Sequence, residues 1–304
     1  MKFVVFGGTG FVGRHLINYL EAHECEVLSV SRSGGANSLT IDISKEAEFD
    51  KINFLPDVVI NCASRVPATG KTSKDPGFLK ELFMTNVVGS VNIANWAVKM
   101  KISKVINCST LAVVKKPWPN PLSEEYNALP VGFHVGYSMS KLSQEQIMNE
   151  CVKGSGTNLV HLRLSAVYGT GMVPEGIIFS ILKKMLNNQV VELTDAKKNT
   201  LDLIHVEDVC RSIYAVSACE FKFKDEVVNL ARGKAVSLYQ LAEVLKKLSG
   251  SDSEIKDKET GKPSSLSYIN VSKLKERIGA AYKKFIPLEA GLQPIVKSNM
   301  KKQV

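Results

Sequence analysis

The chain has 304 residues, of which 44% are hydrophobic and 23% charged, and these are ordinary values for a globular protein. No apolar run approaches the roughly 20 residues that span a bilayer, and glycines break the N-terminal apolar run at once, so we expect neither a membrane span nor a signal peptide. The composition therefore predicts a cytoplasmic protein with a sizeable core, built as two domains or as one large α/β domain with an appendage.

Net charge and cysteine spacing both argue against specialised partners. The net charge is +9, from 39 Lys and Arg against 30 Asp and Glu. The basic residues are scattered, without a basic stripe interleaved with aromatics, so we expect no nucleic-acid partner, whereas a phosphate-bearing small ligand fits the charge. Because no cysteine has CxxC or metal-ligand spacing, we predict reduced thiols and no metal site. A redox or catalytic role, disfavoured because no thiol has a matched partner, is the alternative for Cys25, Cys62, Cys108, Cys151, Cys210 and Cys219.

Short β-rich segments alternate with longer helical segments along the first two-thirds of the chain. The strand-like segments are nearly continuous in apolar character, which is typical of strands buried on both faces. They are KFVVFG, CEVLSVS, PDVVINCAS, SKVINCST and NLVHLRLS. Helical spacing occupies FVGRHLINYLEAH, PGFLKELFMTNVVGSVNIANWAVKM and VGYSMSKLSQEQIMNECVK. The alternation predicts an α/β fold with a doubly wound parallel Rossmann sheet.

The order of the predicted elements is looser after about residue 165. We predict a helix and then a strand in IIFSILKKMLNNQVVEL, a helix in VEDVCRSIYAVSACE, a strand in DEVVNLA and a helix in SLYQLAEVLKKLSG. Residues 250–267 are polar and rich in turn-forming residues, which predicts a loop or an exposed excursion.

The glycine cluster near the N-terminus has the spacing of a phosphate cradle. Gly7, Gly10 and Gly13 form G-x-x-G-x-x-G between a predicted strand and a predicted helix. Glycine lets the backbone turn sharply and approach a pyrophosphate, and the helix N-terminus supplies N–H donors and a favourable dipole. The motif therefore predicts a dinucleotide site. The predicted contacts within it are Gly7, Thr9, Gly10, Phe11, Val12 and Gly13.

The end of the second predicted strand indicates which dinucleotide binds. NAD sites place an acidic residue about 20 positions past the glycine cluster, where it accepts from the ribose hydroxyls. Ser31 and Arg32 stand there instead, and an arginine offers a 2′-phosphate a bidentate partner, so NADP(H) is favoured over NAD(H). The simpler interpretation is that Arg32 stacks on adenine or faces solvent. Asp42, followed by Ile43, either accepts from the adenine amino group or begins a helix.

A tyrosine and a lysine share one face of a predicted helix. Tyr137 lies four residues before Lys141, so we expect the ammonium to favour the phenolate and to lower the pKa of Tyr137 from about 10. Such a tyrosine exchanges a proton while a hydride moves. Ser109 and Thr110 close a predicted strand at the carboxyl edge of the sheet, where a hydroxyl either holds a substrate carbonyl or begins a loop.

Together these segments resemble the extended short-chain dehydrogenase/reductase family, in particular its sugar-nucleotide epimerases, dehydratases and ketoreductases. The resemblance covers nearly the whole chain and includes NCAS at 61–64, TNVVGSVN at 85–92, LRLSAVYGTG at 162–171, LDLIHVEDV at 201–209 and the late INVSKLKERIGAAYKKFIPLEAGL. It implies a dinucleotide-binding domain in residues 1–164 plus about 205–236. It further implies a smaller C-terminal α/β substrate lobe in about 165–204 plus 237–304, and a homodimer through paired helices.

The resemblance also implies roles for individual residues. Thr110, Tyr137 and Lys141 correspond to the catalytic triad, in which Tyr137 is the acid/base and Lys141 also binds the nicotinamide ribose. Asn86 corresponds to an asparagine that helps to position the lysine and an active-site water. Two further residues that line the cofactor by this resemblance are Cys62 and Ala63.

The departures from the family concern the substrate rather than the redox residues. Members that handle nucleoside diphosphate sugars often have Arg-Asp-Phe where this chain has Leu201, Asp202 and Leu203, and that arginine usually grips the diphosphate. An asparagine often found in the family is Ala166 here. The candidate substrate contacts are Arg65, Lys71, Thr110 and His134.

These residues predict an NADP(H)-dependent reductase of a nucleotide-activated keto sugar, of the 4-keto-6-deoxy type. The first alternative is a nucleotide-sugar 4-epimerase with tightly held NAD, in which the same triad oxidises and re-reduces C4. A dehydratase is disfavoured because Leu111 follows Thr110, where dehydratases of the family have an Asp-Glu pair. The alternative of another class is a non-catalytic NAD(P)-sensing protein, and the intact triad argues against it.

Overall fold

A seven-stranded parallel sheet forms the centre of the computed structural model, which describes residues 1–35, 37–67, 75–131, 134–219 and 226–301. In chain order the strands are β1 (Lys2–Phe6), β2 (Glu26–Ser31), β3 (Ser38–Thr40), β4 (Val58–Asn61), β5 (Lys104–Thr110), β6 (Asn158–Leu164), β7 (Ala166–Tyr168), β8 (Val191–Thr194), β9 (Thr200–His205), β10 (Glu226–Leu230), β11 (Ala235–Ser237) and β12 (Ile255–Lys258). The central sheet has the order β3-β2-β1-β4-β5-β6-β10. This is the strand order of a doubly wound dinucleotide-binding fold, and it confirms the predicted fold class.

Helices cover both faces of this sheet. The helices are α1 (Phe11–Glu21), α2 (Pro76–Phe83), α3 (Gly89–Lys99), α4 (Val135–Val152), α5 (Gly176–Leu186), α6 (Val206–Ala218), α7 (Leu238–Ser249), α8 (Ser272–Ile278) and α9 (Leu288–Met300). Leu16 and Leu20 of α1 pack with α6 and α8 on one face, where they are fully buried. On the other face, α3 and α4 pack against Val4 and Phe6 of β1. Burying a leucine side chain fully contributes about 1.5–3 kcal/mol. Because helices cover both faces of the sheet, the side chains of β1 are apolar on both of its faces.

A second, smaller core lies in the C-terminal half of the chain. Apolar residues of α5, α7 and α9 pack there with Leu193 of β8 and Leu203 of β9. β9 pairs with β7 and β11, and β8 pairs with β12. Leu274 and Ile278 of α8 instead join the core of the central sheet, so part of the segment 237–304 lies against the predicted dinucleotide domain.

The segment 250–267, predicted to be a loop, contains β12. This strand pairs in parallel with β8, and the register joins Ile255 to Val191. Ser251 and Ser253 are buried, and the Ser251 hydroxyl donates to the Met185 carbonyl oxygen at 2.7 Å. Hydrogen bonds within the fold satisfy these two buried serines, whereas Asp252, Glu254 and Lys256 between and beyond them are exposed. The prediction of a loop was therefore wrong at Ile255–Lys258, where a mostly polar sequence forms a strand.

Asp202 connects the second core to the central sheet. Its carboxylate accepts hydrogen bonds from the amides of Arg232 at 2.9 Å, Gly233 at 2.8 Å and Lys234 at 3.2 Å, and from the Ser165 hydroxyl at 3.0 Å. The aspartate thus fixes β9 to the turn that follows β10. Among the helices of the described ranges, none is long and apolar enough to cross a membrane.

Candidate dinucleotide and catalytic site

The glycine motif forms a tight turn between β1 and α1. The amides of Gly7 and Gly8 both donate to the Val30 carbonyl oxygen, at 2.8 and 3.1 Å, and Gly7 has a φ of 80°. A Cβ on Gly13 would lie 2.1 Å from the Gly7 carbonyl oxygen, and one on Gly7 would lie 2.5 Å from the Ala63 amide. Gly10 is the N-cap residue before α1, and no side chain caps the first amides of this helix. The backbone can therefore approach an anion at the positive end of the α1 dipole.

A cleft of about 200 Å³ opens beside this turn, along the carboxyl ends of β1, β2 and β4. Most of the predicted cofactor contacts line it, namely Gly7, Thr9, Gly10, Ser31, Arg32, Asp42, Ile43, Cys62 and Ala63. Phe11, Val12 and Gly13 lie in the first turn of α1, outside this lining. Sequence reasoning missed several lining residues, which are Val30, Ser33, Ile41, Ser64 and Thr85. Two of them had a signal in the sequence, because Ser64 closes the NCAS motif at the carboxyl end of a strand and Thr85 begins the TNVVGSVN segment.

The side of the cleft beside β2 is polar and basic. Ser31 is buried, and its hydroxyl donates to the Gly34 carbonyl oxygen at 3.1 Å, whereas Arg32 is exposed. Asp42 accepts from the amide and the hydroxyl of Ser44 at 3.1 and 2.8 Å. Burial opposes the ionised form of Asp42, but these hydrogen bonds and the charges of Lys45 and Arg32 hold its pKa below the usual value. Arg32 therefore lines the cleft as an exposed cation in the field of the Asp42 carboxylate.

Tyr137 lies in the first turn of α4, next to the cleft. The side chains of Thr110 and Ser64 lie near its hydroxyl as hydrogen-bonding groups that act to lower its pKa, and Ser64 lines the cleft. Burial raises the pKa of Tyr137 to about 12, although both hydrogen bonds act to lower it. The direction is opposite to the expected one, because burial disfavours the phenolate and the side chain of Lys141 is engaged elsewhere.

The side chain of Lys141 points into the protein interior, towards β5. Its side chain is buried, and the Nζ atom donates to the Cys108 carbonyl oxygen at 2.7 Å and to the side-chain oxygen of Gln144. Burial lowers the pKa of Lys141 to about 8, and the nearby Cys108, Glu145 and Cys62 oppose that shift. The spacing of four residues therefore predicts the shared helix face correctly but not the direction of the ammonium, which two nearer oxygens determine.

Asn86 joins the loop after β4 to α4. It lies in a π-helical turn, Met84–Val88, between α2 and α3, and is fully buried. Its amide nitrogen donates to the Ser140 hydroxyl at 2.9 Å and to the Arg65 carbonyl oxygen at 3.0 Å. Its oxygen accepts from the Arg65 amide at 2.7 Å and from the Ser64 hydroxyl at 3.2 Å. In this structure, these bonds of Asn86 position Ser64, a hydrogen-bonding partner of Tyr137, and not the lysine.

Of the predicted substrate contacts that the structure describes, Arg65 is the one that lines the cleft. It forms an ion pair with Glu81 at 2.7 Å and lies over the Phe78 ring. His134 precedes α4 with a φ of 59°, and burial lowers its pKa. Lys71 lies outside the described residues.

A buried ion pair supports the strand that ends at Thr110. Arg163 of β6 donates to both oxygens of Glu145 on α4, from Nε at 3.0 Å and from Nη2 at 2.7 Å, and the Ser109 hydroxyl donates to the same carboxylate. The side chains of Arg163 and Glu145 are only 6% and 1% exposed. This pair fixes α4, which holds Tyr137 and Lys141, to the two strands beneath it. Among the described residues there is no cluster of three or more His, Cys, Asp and Glu that could hold a metal ion.

Comparisons with known proteins identify the family and support the fold. Residues 3–231 match the sequence profile of the NAD dependent epimerase/dehydratase family. The chain is 27% identical over 308 residues to the putative UDP-glucose 4-epimerase of Methanocaldococcus jannaschii, with 96% of both chains covered. It is 28% identical over 271 residues to GDP-6-deoxy-D-talose 4-dehydrogenase of Aggregatibacter actinomycetemcomitans, with 85% of this chain and 84% of that protein covered. The structure of RMD from Pseudomonas aeruginosa complexed with NADPH has the same fold, with a TM-score of 0.80, 20% identity and 99% of both chains covered.

Proposed function

Because the chain belongs to the NAD-dependent epimerase/dehydratase family, we propose that it is an NADP(H)-dependent reductase of a nucleotide-activated keto sugar, of the 4-keto-6-deoxy type. The observation that carries this proposal is the position of the Tyr137 side chain near those of Thr110 and Ser64, beside the dinucleotide cleft that Ser64 lines. A sensing protein needs a cleft but no such tyrosine. The experiment that tests it follows NADPH oxidation with a panel of 4-keto-6-deoxy nucleotide sugars, and the absence of oxidation with every one of them contradicts it.

In the proposed reaction the nicotinamide supplies a hydride to the keto carbon when it is bound. Tyr137 donates its proton to the keto oxygen, and the Thr110 hydroxyl holds that oxygen by a hydrogen bond. A pKa near 12 keeps Tyr137 protonated at neutral pH, which is the form that a reduction uses. The Lys141 ammonium, buried towards β5, is a positive charge near Tyr137 that favours the phenolate formed when the tyrosine gives up its proton. Glycines 7, 10 and 13 admit the pyrophosphate.

The proposed preference for NADP(H) depends on Arg32. We expect Arg32→Ala to weaken NADPH binding by about 10- to 100-fold and to leave NADH binding nearly unchanged, because a charged hydrogen bond is worth about 1.5–3 kcal/mol and only NADPH has the 2′-phosphate. Titrations of both dinucleotides, followed by nicotinamide fluorescence, measure the effect. The matched control is Lys51→Ala, which removes an exposed cation paired with Glu48 outside the cleft. Equal weakening of both dinucleotides, or a wild-type protein that binds NADH more tightly, contradicts the assignment.

A nucleotide-sugar 4-epimerase is the alternative enzyme, and the epimerase relative favours it. An epimerase returns the hydride to the substrate, so it interconverts two sugars without net consumption of dinucleotide. Assays with UDP-glucose and UDP-galactose, with and without added NADPH, distinguish the two reactions. The substrate class itself rests on the relatives, because Leu201 stands where family members often have an arginine for the diphosphate.

We also propose that the protein is a homodimer. Met84 and Val88, at the junction of α2 and α3, and Met139 and Ile147 of α4 are exposed apolar side chains on neighbouring helices, and such groups favour association. Light scattering of the purified protein measures its mass, and a monomer at micromolar concentration contradicts the proposal.

A further inference from the structure

Two thiols lie side by side beside the dinucleotide cleft. Cys62 follows β4 and Cys108 lies in β5, and the register of these parallel strands joins Asn61 to Asn107, so the cysteines are the next pair. Their Sγ atoms are 3.6 Å apart, and one thiol donates a hydrogen bond to the other. No thiol has a matched partner in the sequence, and a redox cysteine was therefore not expected. The fold provides one, through strands that are far apart in the sequence.

The geometry allows a covalent bond between these thiols. Neighbouring strands in a sheet lie about 4.8 Å apart, which falls within the Cα separation of about 4.4–6.8 Å that disulfides span. Both side chains are half-buried rather than enclosed, and Cys62 lines the cleft. A small reagent that enters the cleft therefore reaches Cys62, whose sulfur lies 3.6 Å from that of Cys108.

The two thiols differ in their readiness to react. A hydrogen bond from Cys62 holds the pKa of Cys108 below its usual value against the effect of burial, and the Lys141 ammonium acts in the same direction. The same hydrogen bond and burial raise the pKa of Cys62. Because the thiolate is the nucleophile, Cys108 is the residue that reacts first and Cys62 is the one that resolves the product.

We propose that Cys62 and Cys108 form an oxidative modification site, which hydrogen peroxide closes to a disulfide. The Cys108 thiolate attacks one peroxide oxygen, the O–O bond breaks, and the products are a sulfenic acid on Cys108 and hydroxide. The Cys62 sulfur then attacks the sulfenic sulfur, the S–S bond forms, and the sulfenic oxygen leaves as water with the proton of Cys62. In the balance, two thiols lose two electrons and two protons, and peroxide is reduced to two water molecules.

The modification and dinucleotide binding oppose each other. The backbone of Cys62 lies directly against the glycine turn, because a Cβ on Gly7 would be 2.7 Å from the Cys62 carbonyl carbon. The Cys108 carbonyl oxygen is a hydrogen-bond acceptor for Lys141. Drawing the two sulfurs together displaces one or both of these neighbours, and a dinucleotide in the cleft covers Cys62. This coupling rests on the proposed dinucleotide site, whereas the disulfide itself requires only the thiol pair.

The test uses the reduced full-length protein, treated with dilute hydrogen peroxide in the presence and absence of NADPH. We expect the intact mass to fall by two hydrogens, and peptide mapping without reductant to show a cross-link between Cys62 and Cys108 that dithiothreitol reverses. With NADPH at about ten times its Kd, we expect the reaction to be about tenfold slower, because only the free protein reacts. Oxidation that leaves no such cross-link, or that occurs first at another cysteine, overturns the proposal.

Variants distinguish the roles of the two thiols. In Cys62→Ser we expect dimedone to trap a sulfenic acid on Cys108, and in Cys108→Ser we expect no oxidation at Cys62 under the same conditions. Cys151→Ser, which removes a half-buried thiol outside the cleft, is the matched control and should form the cross-link at the wild-type rate. The wild-type peptide map remains decisive if a variant fails to fold. A cross-link whose rate NADPH does not change overturns the coupling, and because the readout is mass, failure of the proposed reductase activity remains distinguishable.

Discussion

Replacement of Tyr137 by Phe is expected to lower turnover by about 10²- to 10⁴-fold, which is the contribution of a well-placed acid/base. The variant keeps the aromatic ring that packs beside the cleft and loses only the hydroxyl that Thr110 and Ser64 hold. Loss of that hydroxyl should cost about 1 kcal/mol of stability. The measurements are the rate of NADPH oxidation with an accepted keto sugar and the melting temperature of both proteins.

The control for this variant is Tyr126→Phe, because Tyr126 is exposed and does not line the dinucleotide cleft. It should retain the wild-type rate. NADPH should bind both variants as tightly as it binds the wild type, so that the loss in Tyr137→Phe is a loss of kcat. Unchanged turnover in Tyr137→Phe contradicts the proposed role of Tyr137 as the acid/base.

Replacement of Glu145 by Ala is expected to lower the free energy of unfolding by about 3–5 kcal/mol. The substitution leaves Arg163, only 6% exposed, without its carboxylate partner, and it also removes the acceptor for the Ser109 hydroxyl. A buried charge without a partner is much more costly than a broken surface pair. Urea unfolding followed by circular dichroism measures the difference.

Glu150→Ala is the matched control on the same helix. Glu150 pairs with Lys153 at 3.4 Å, but both side chains are mostly exposed, so its loss should change stability by at most about 0.5 kcal/mol. Combining Glu145→Ala with Arg163→Met should recover much of the loss, since it removes the unpaired charge. Similar small losses in the two single variants contradict the structural role of the buried pair.

The same pair predicts how stability depends on pH. Burial acts to raise the pKa of Glu145, but the hydrogen bonds and charge of Arg163 outweigh it, and the pKa lies below its ordinary value of 4.5. A carboxyl whose pKa is depressed on folding contributes stability above its unfolded pKa and loses it as the pH falls through the folded one. The difference between wild type and Glu145→Ala should therefore shrink as the pH falls below about 4.

The central sheet could be predicted from the sequence because its strands are buried on both faces. Runs such as those of β1 and β4 are then mostly apolar, and helices such as α1 have the period of 3.6 residues. β12 and the position of α8 could not be predicted in this way. β12 is a polar strand at the edge of a small sheet, and the placement of α8 depends on tertiary contacts of Leu274 and Ile278.

Parts of the candidate site could be predicted from the sequence, but its internal geometry could not. The glycine spacing and the Tyr137–Lys141 pair identify the turn and the helix face that meet at the cleft. Sequence spacing does not predict the direction of the Lys141 side chain. Its ammonium donates to the Cys108 carbonyl oxygen, which lies in β5 and not in the same helix. The thiol pair was invisible for the same reason, because strand register alone brings Cys62 to Cys108.

In the proposed function, this chain transfers a hydride from NADPH to a sugar carbon. The most direct measurement is to supply NADPH with deuterium at the transferable position of the nicotinamide, together with a 4-keto-6-deoxy nucleotide sugar, and to determine the mass of the sugar product. The proposed reductase predicts one deuterium at C4 of the product and an equal amount of oxidised dinucleotide. A sugar that acquires no deuterium while the dinucleotide binds would contradict the claim.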